Sequence, residues 1–139
     1  MHTRSVLAIL ASAGVASAAL VVGASPASAA GPCGSGYSRV GVYAIPENGT
    51  RKGTLEVYYS SGAKKNCALT YGYGAWANTE NWKSVGIRRS ATGITPWDHD
   101  YGDSTYYAGP VYVSAPGACI DVIGGVDGAG IDLYDVHCG

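Results

Sequence analysis

Four side chains that bind cations or carry protons fall inside one short run, PWDHDYGDS: Asp98, His99, Asp100 and Asp103. Grouped carboxylates are what calcium requires, and Asp-x-Asp opens an EF-hand loop. The residues that follow depart from that pattern. Gly102 arrives one position early, and Gly109 stands where a bidentate Glu would close the coordination shell. Histidine is also a poor ligand for so hard a cation. Aspartate in a glycine-containing segment serves ordinary turns, which is the preferred role, so no metal and no cofactor are expected. Signals for catalysis are equally sparse. The chain has no G-x-S-x-G elbow, no H-E-x-x-H, no G-x-G-x-x-G after a strand and no P-loop. Beyond the first 30 residues only His99 and His137 remain as imidazole bases, and His137, between Val136 and Cys138, reads as a structural side chain beside a disulfide. A glycosidase needs two carboxylates flanking a sugar, and the spacing of the ten acidic residues singles out no such pair. The expectation is a protein that is not an enzyme.

Binding chemistry has a second candidate in YGYGAWANTENW, which spaces Tyr71, Tyr73, Trp76 and Trp82 with glycine and asparagine. Aromatic rings exposed on a strand stack on sugar rings, and Asn78 and Asn81 could supply hydrogen bonds. Tyr73, Trp76 and Trp82 are therefore the candidate ligand-binding residues, with a cell-wall or spore-wall polysaccharide as the candidate partner. The competing role is core packing. The chain has no Phe, and aromatics are the largest apolar units open to a small domain.

The elements that position these residues read as strands. RVGVYAI alternates Val40, Val42 and Ala44; TLEVYYSS sets Leu55, Val57 and Tyr59 against Thr54, Glu56 and Tyr58. NCALTYGY places Cys67, Leu69, Tyr71 and Tyr73 on one face, and SVGIRR, GPVYVSA, ACIDVIG and GIDLYDV continue the period of two that half-buried strands need. No window beyond residue 30 sustains a helical apolar period. ENGT, with its Asn-Gly pair, suggests a tight hairpin turn, and SSGAKK, SAPGA and DGAG are comparable breakers. VYYSSGAKKNCAL and VYVSAPGACIDV echo each other as hairpins whose second strand carries a cysteine near its start. The expected fold is all-β, an antiparallel β-sandwich or small barrel of about seven or eight strands with two disulfides.

The chain ends set the compartment. Arg4, the uncharged run SVLAILASAGVASAALVVGAS and the small residues Ala27, Ser28 and Ala29 form a secretory signal peptide over 1–29, cut before Ala30. Residues 30–139 then form a single secreted domain with no membrane-spanning segment after processing. All four cysteines lie in it, and an even count in an exported chain reads as two disulfides, although three connectivities are open. Terminal strands fray unless tied down. Cys119 with Cys138 would close the last hairpin, and Cys33 with Cys67 would anchor the new N-terminus. Charge argues against nucleic acid as a partner: residues 30–139 hold 8 Lys and Arg against 10 Asp and Glu. The two signs are segregated, since residues 30–89 hold all 8 bases and only Glu47, Glu56 and Glu80, while residues 90–139 hold seven acids and no base.

Motifs along nearly all of residues 30–139 resemble the spore-associated protein A family, small exported proteins of filamentous spore-forming actinobacteria. AGPCGSGY, RKGTLEVYYSS, KNCALT, YYAGPVYVSA, CIDV and the closing VHCG occur in that order and include every cysteine. The segment from Tyr71 to Thr105 matches least. The tail CIDV…GIDLYDVHCG is also similar to one subdomain of a ricin-type β-trefoil, but that family repeats the unit around a Q-x-W signature, and this chain has it once and no Gln. The first resemblance implies export and association with the spore or cell surface, and no catalytic residue. Three function classes follow: a non-catalytic surface component, a small carbohydrate-binding module using exposed aromatics, and an inhibitor of exported hydrolases presenting SSGAKKNC.

Overall fold

The computed structural model describes residues 31–91 and 94–139; the expected signal peptide over 1–29 lies outside the described residues. Each alternating run becomes a strand, and the Asp-rich run, expected to serve turns, adds another, β5: β1 (Ser38–Ile45), β2 (Gly53–Ser60), β3 (Lys65–Gly72), β4 (Asn81–Arg89), β5 (Asp98–Ser104), β6 (Tyr107–Val113), β7 (Ile120–Val126) and β8 (Ala129–Val136). A single 3-10 turn, Gly74–Trp76, is the helical content of the described residues. The strands form two four-stranded antiparallel sheets, β1-β2-β3-β6 and β5-β4-β7-β8. The fold is thus a sandwich.

Period-two alternation decides what lies between the sheets. Leu55 and Val57 of β2, Ala68 of β3 and Val111 of β6 meet Val85 and Ile87 of β4 and Ile120 and Val122 of β7 in one buried cluster. A fully buried Val, Leu or Ile contributes about 1.5–3 kcal/mol. Close approach of the sheets needs a residue without a side chain at Gly124, where a Cβ would lie 2.7 Å from Thr70 Oγ1 and 3.1 Å from Ile45 Cδ1.

The open edges are bridged by side chains. The edge strands β5 and β6 belong to different sheets, and the Asp98 and Asp100 carboxylates on β5 accept the main-chain N–H groups of Tyr112 (2.8 Å) and Gly109 (2.7 Å) on β6. Unpaired edge N–H groups invite foreign strands, and these carboxylates occupy two of them. On the opposite side, Tyr43 Oη on β1 hydrogen-bonds His137 Nε2 (2.8 Å), just beyond β8.

Both disulfides pair as anchoring requires, Cys33 with Cys67 and Cys119 with Cys138. Two local expectations change. ENGT is not a tight hairpin turn: the β1–β2 ladder ends at Ile45 opposite Gly53, because Pro46 has no N–H to extend it, and Gly49 takes a φ of 90° within the longer loop. The tight turn is Asp127-Gly128, whose φ angles of 46° and 80° suit a two-residue hairpin between Val126 and Ala129. VYVSAPGACIDV is not a hairpin either, since β6 and β7 lie in different sheets and SAPGA crosses between them.

Candidate functional site

The sequence run WDHDYGD alternates, and its alternation builds the site. In β5 the residues Asp98 and Asp100 point toward β6, while His99, Tyr101 and Asp103 lie on the other face, opposite Gly86, Ser84 and Trp82 of β4. Two carboxylates of the suspected cation cluster are therefore engaged by main-chain N–H groups. Among the described residues no group of three or more His, Cys, Asp or Glu side chains is placed to hold a metal ion.

That other face is the outer surface of the β5-β4-β7-β8 sheet, and its centre is made of glycines and a serine beside Ile123. Ser84 pairs with Gly125, which pairs with Gly130; Gly86 pairs with Ile123, which pairs with Asp132. Large rings stand around this floor. Trp82 is 43% exposed and leans over Gly125, with its ring 3.5 Å from where a Cβ would be. Tyr101 is 64% exposed, its ring parallel to that of His99 with centroids 5.4 Å apart. Trp97 lies against Gly86, and the Arg88 guanidinium rests 4.4 Å from its ring centroid. A shallow trough opens beside them, lined by Trp82, Ser84, Ile123, Gly130 and Asp132.

The three aromatic residues singled out from the sequence gather at one end of the sandwich. Trp76 Nε1 donates to Asp127 Oδ2 (3.1 Å), and the Asp127 N–H donates to the Trp82 carbonyl (2.9 Å), so Trp76 and Trp82 converge on one aspartate. Lys52 lies 5.2 Å from the Trp76 ring centroid. Tyr73 is exposed on one side, with Arg51 held 4.0 Å over its ring. The sequence reading singled out His99 for cation or proton chemistry but missed Trp97 and Tyr101, although the odd-numbered spacing of all three between even-numbered Asp98 and Asp100 is a strand pattern.

The remaining ionisable groups act as ties. Asp121, nearly buried, accepts from Arg88 Nε (2.8 Å), Ser90 Oγ (2.5 Å) and the Asp135 N–H (3.1 Å). Burial pushes its carboxyl up, but these bonds outweigh burial and hold it below the usual carboxylate range. Lys83 is fully buried and donates to the carbonyls of Thr79 and Ser104 and to Asn81 Oδ1, and desolvation lowers its ammonium, with Asp103 opposing. His137 is pushed below its ordinary value by burial.

Fold and site define a class: a two-sheet β protein, stapled by two disulfides, with ionisable side chains that tie strands together and one sheet face that displays aromatic rings. No protein-family model and no solved structure matches the chain. It is similar to Spore-associated protein A of Streptomyces coelicolor, 34% identical over 145 residues that cover 98% of this chain and 89% of that protein. The chain belongs to the spore-associated protein A family.

Proposed function

We propose that this protein is a non-catalytic, exported component of the spore or cell surface, with residues 1–29 acting as its signal peptide and 30–139 as the secreted domain. The relative's name supplies the association with spores. Two disulfides accord with an oxidising compartment outside the cytosol. The observation that carries the non-catalytic reading is where the chemistry-bearing side chains are engaged. His137 is bonded to Tyr43, Asp98 and Asp100 to main-chain N–H groups, Asp121 to three donors and Lys83 to three acceptors. Fractionation of sporulating cells tests the location, and mass spectrometry of the recovered chain tests the cut before Ala30. Retention in the cytosol or an intact Met1 would overturn the proposal, as would hydrolysis of peptides or glycans that disappears in His99→Ala or Asp98→Asn.

Exposure of Tyr73 and Trp82 favours a second reading, in which the surface component is held in place by binding a wall polysaccharide through Tyr73, Trp76 and Trp82. Retention of the purified protein on wall polysaccharide, lost on replacing Trp76 and Trp82 by Ala with the fold intact, is the result this reading requires.

A further inference from the structure

The geometry points to a second, more specific glycan contact: the outer face of the β5-β4-β7-β8 sheet is a platform for a polymer of amino sugars that carries free, protonated amines. The inference rests on the wall-polysaccharide reading and deepens it, by moving the contact onto this sheet face and naming the ligand's charge.

Shape is the first support. Gly125, Gly130 and Ser84 keep the trough beside Trp82 low, while Trp82 and Tyr101 rise around it and Ile123 and Trp97 cover Gly86. An extended sugar chain needs such a floor and flat apolar walls on which the C–H faces of pyranose rings can stack. The glycines are fixed by space already in use: a Cβ at Gly86 would lie 2.9 Å from Ile123 Cγ1 and 3.2 Å from Trp97 Cε3, and one at Gly125 would lie 2.7 Å from Ser84 Oγ.

Charge selects among polysaccharides. Strands β5, β7 and β8 come from the half of the chain that has no lysine or arginine. The fourth strand contributes Lys83, which faces inward and is fully buried, Arg88, which is paired with Asp121 at 2.8 Å, and Arg89, exposed at the strand's end but in register with inward-facing Ile120, on the side of Lys83 and away from this face. Asp103 and Asp132 are left on the face. The ion pairs among the described residues are Arg39 with Glu56 and Arg88 with Asp121, so neither carboxylate is matched by a cation in an ion pair. Asp132 lines the trough beside Trp82. A ring stacked on Trp82 would bring its substituents toward that carboxylate, and an ammonium group there forms a charge-assisted hydrogen bond that a neutral acetamide does not.

The purified, disulfide-bonded protein should be titrated with a soluble, largely de-N-acetylated β-1,4-glucosamine polymer, with N-acetylated oligomers of the same linkage, and with polygalacturonate. The glucosamine polymer should bind at least tenfold tighter than the acetylated oligomers at low salt, with the advantage shrinking as salt rises. Polygalacturonate should bind weakest. Asp132→Asn should remove most of that advantage, and Tyr101→Ala should weaken binding of both amino-sugar ligands at unchanged melting temperature. Equal binding of charged and acetylated ligands, or full binding by Tyr101→Ala, overturns the inference. Binding lost in Tyr73→Ala or Trp76→Ala but kept in Tyr101→Ala overturns it while leaving the wall-polysaccharide reading standing. Binding of no glycan defeats both.

Discussion

The two outer faces of the sandwich carry similar numbers of rings and treat them in opposite ways. On the β1-β2-β3-β6 sheet, the N-terminal segment lies across the strands and is fixed by the Cys33–Cys67 bridge. Leu69 is buried beneath it with Tyr37, Tyr58, Tyr71 and Tyr112 packed around. Two of the hydroxyls are engaged: Tyr112 donates to the Cys33 carbonyl (3.0 Å), and Tyr58 donates to Glu56, which also accepts from Arg39. On the β5-β4-β7-β8 sheet nothing described lies over Trp82 or Tyr101. A ring on a strand is thus core or surface according to whether another segment is tethered over it, and that tether is a disulfide.

The largest effect should come from untying the covered face. In the chain-entropy view, a bridge spanning 34 residues contributes about 4 kcal/mol and one spanning 19 about 3 kcal/mol. Replacing Cys33 and Cys67 together by Ser should therefore lower the melting temperature more than replacing Cys119 and Cys138. It should also make the covered tyrosines bind an environment-sensitive apolar dye. If the two double variants melt alike and the dye responds to neither, the N-terminal segment is held by packing and the contrast between the faces does not depend on the tether.

A smaller loss should follow from Tyr112→Phe, which removes the bond to the Cys33 carbonyl and should cost about 1 kcal/mol in chemical denaturation. Tyr101→Phe on the open face should cost nothing measurable. Equal losses would mean that the open face is covered in solution by something the two sheets do not themselves provide.

Proton linkage sharpens the same contrast. Burial raises the phenols of Tyr58, Tyr71 and Tyr112 above the ordinary value of 10.0, with Glu56 adding to the effect at Tyr58 and Tyr71 and Tyr37 at Tyr112. The unfolded chain loses these protons first, so their contribution to stability is complete below pH 10 and declines as the pH rises through the folded-state values. Tyr58→Phe should flatten that alkaline decline. On the acid side the sign reverses: His137 is depressed below 6.5, so the tie to Tyr43 is present at neutral pH and weakens as the pH falls through the folded-state value. His137→Gln should flatten this second slope and leave the alkaline one unchanged.

How much of this was legible depended on whether a residue's role was local. Strands such as TLEVYYSS and NCALTYGY were visible because burial on one face imposes a period of two, and both disulfides followed from the need to tie the chain's ends. β5 was hidden because its inward positions are Asp98 and Asp100 in place of apolar residues, so charge masked the alternation. The role of those aspartates depends on β6 lying in the other sheet, and no local pattern reports which sheet a strand joins. The same blindness made VYVSAPGACIDV look like a hairpin. Among the aromatics, composition could count rings but could not say that Tyr112 would meet the Cys33 carbonyl or that Trp97 would lie on Gly86.

The smallest expected effect is also the most direct comparison of the faces. Tyr101 makes its closest ring contact with His99, itself exposed, so Tyr101→Ala removes little buried area and should change unfolding free energy by no more than about 0.5 kcal/mol. Tyr71 is its counterpart on the covered face. It is half-buried, packed beside Tyr107 with ring centroids 5.6 Å apart and next to buried Leu69. Tyr71→Ala should cost several times as much, because it removes a ring from a packed cluster and leaves a cavity that β3 cannot close. Urea titrations of the two variants read this difference without any ligand. If Tyr101→Ala destabilised as much as Tyr71→Ala, the open rings would be holding the sheet together, and a ring that does so is not free to stack on a sugar. A near-zero cost at Tyr101 leaves its ring available for binding.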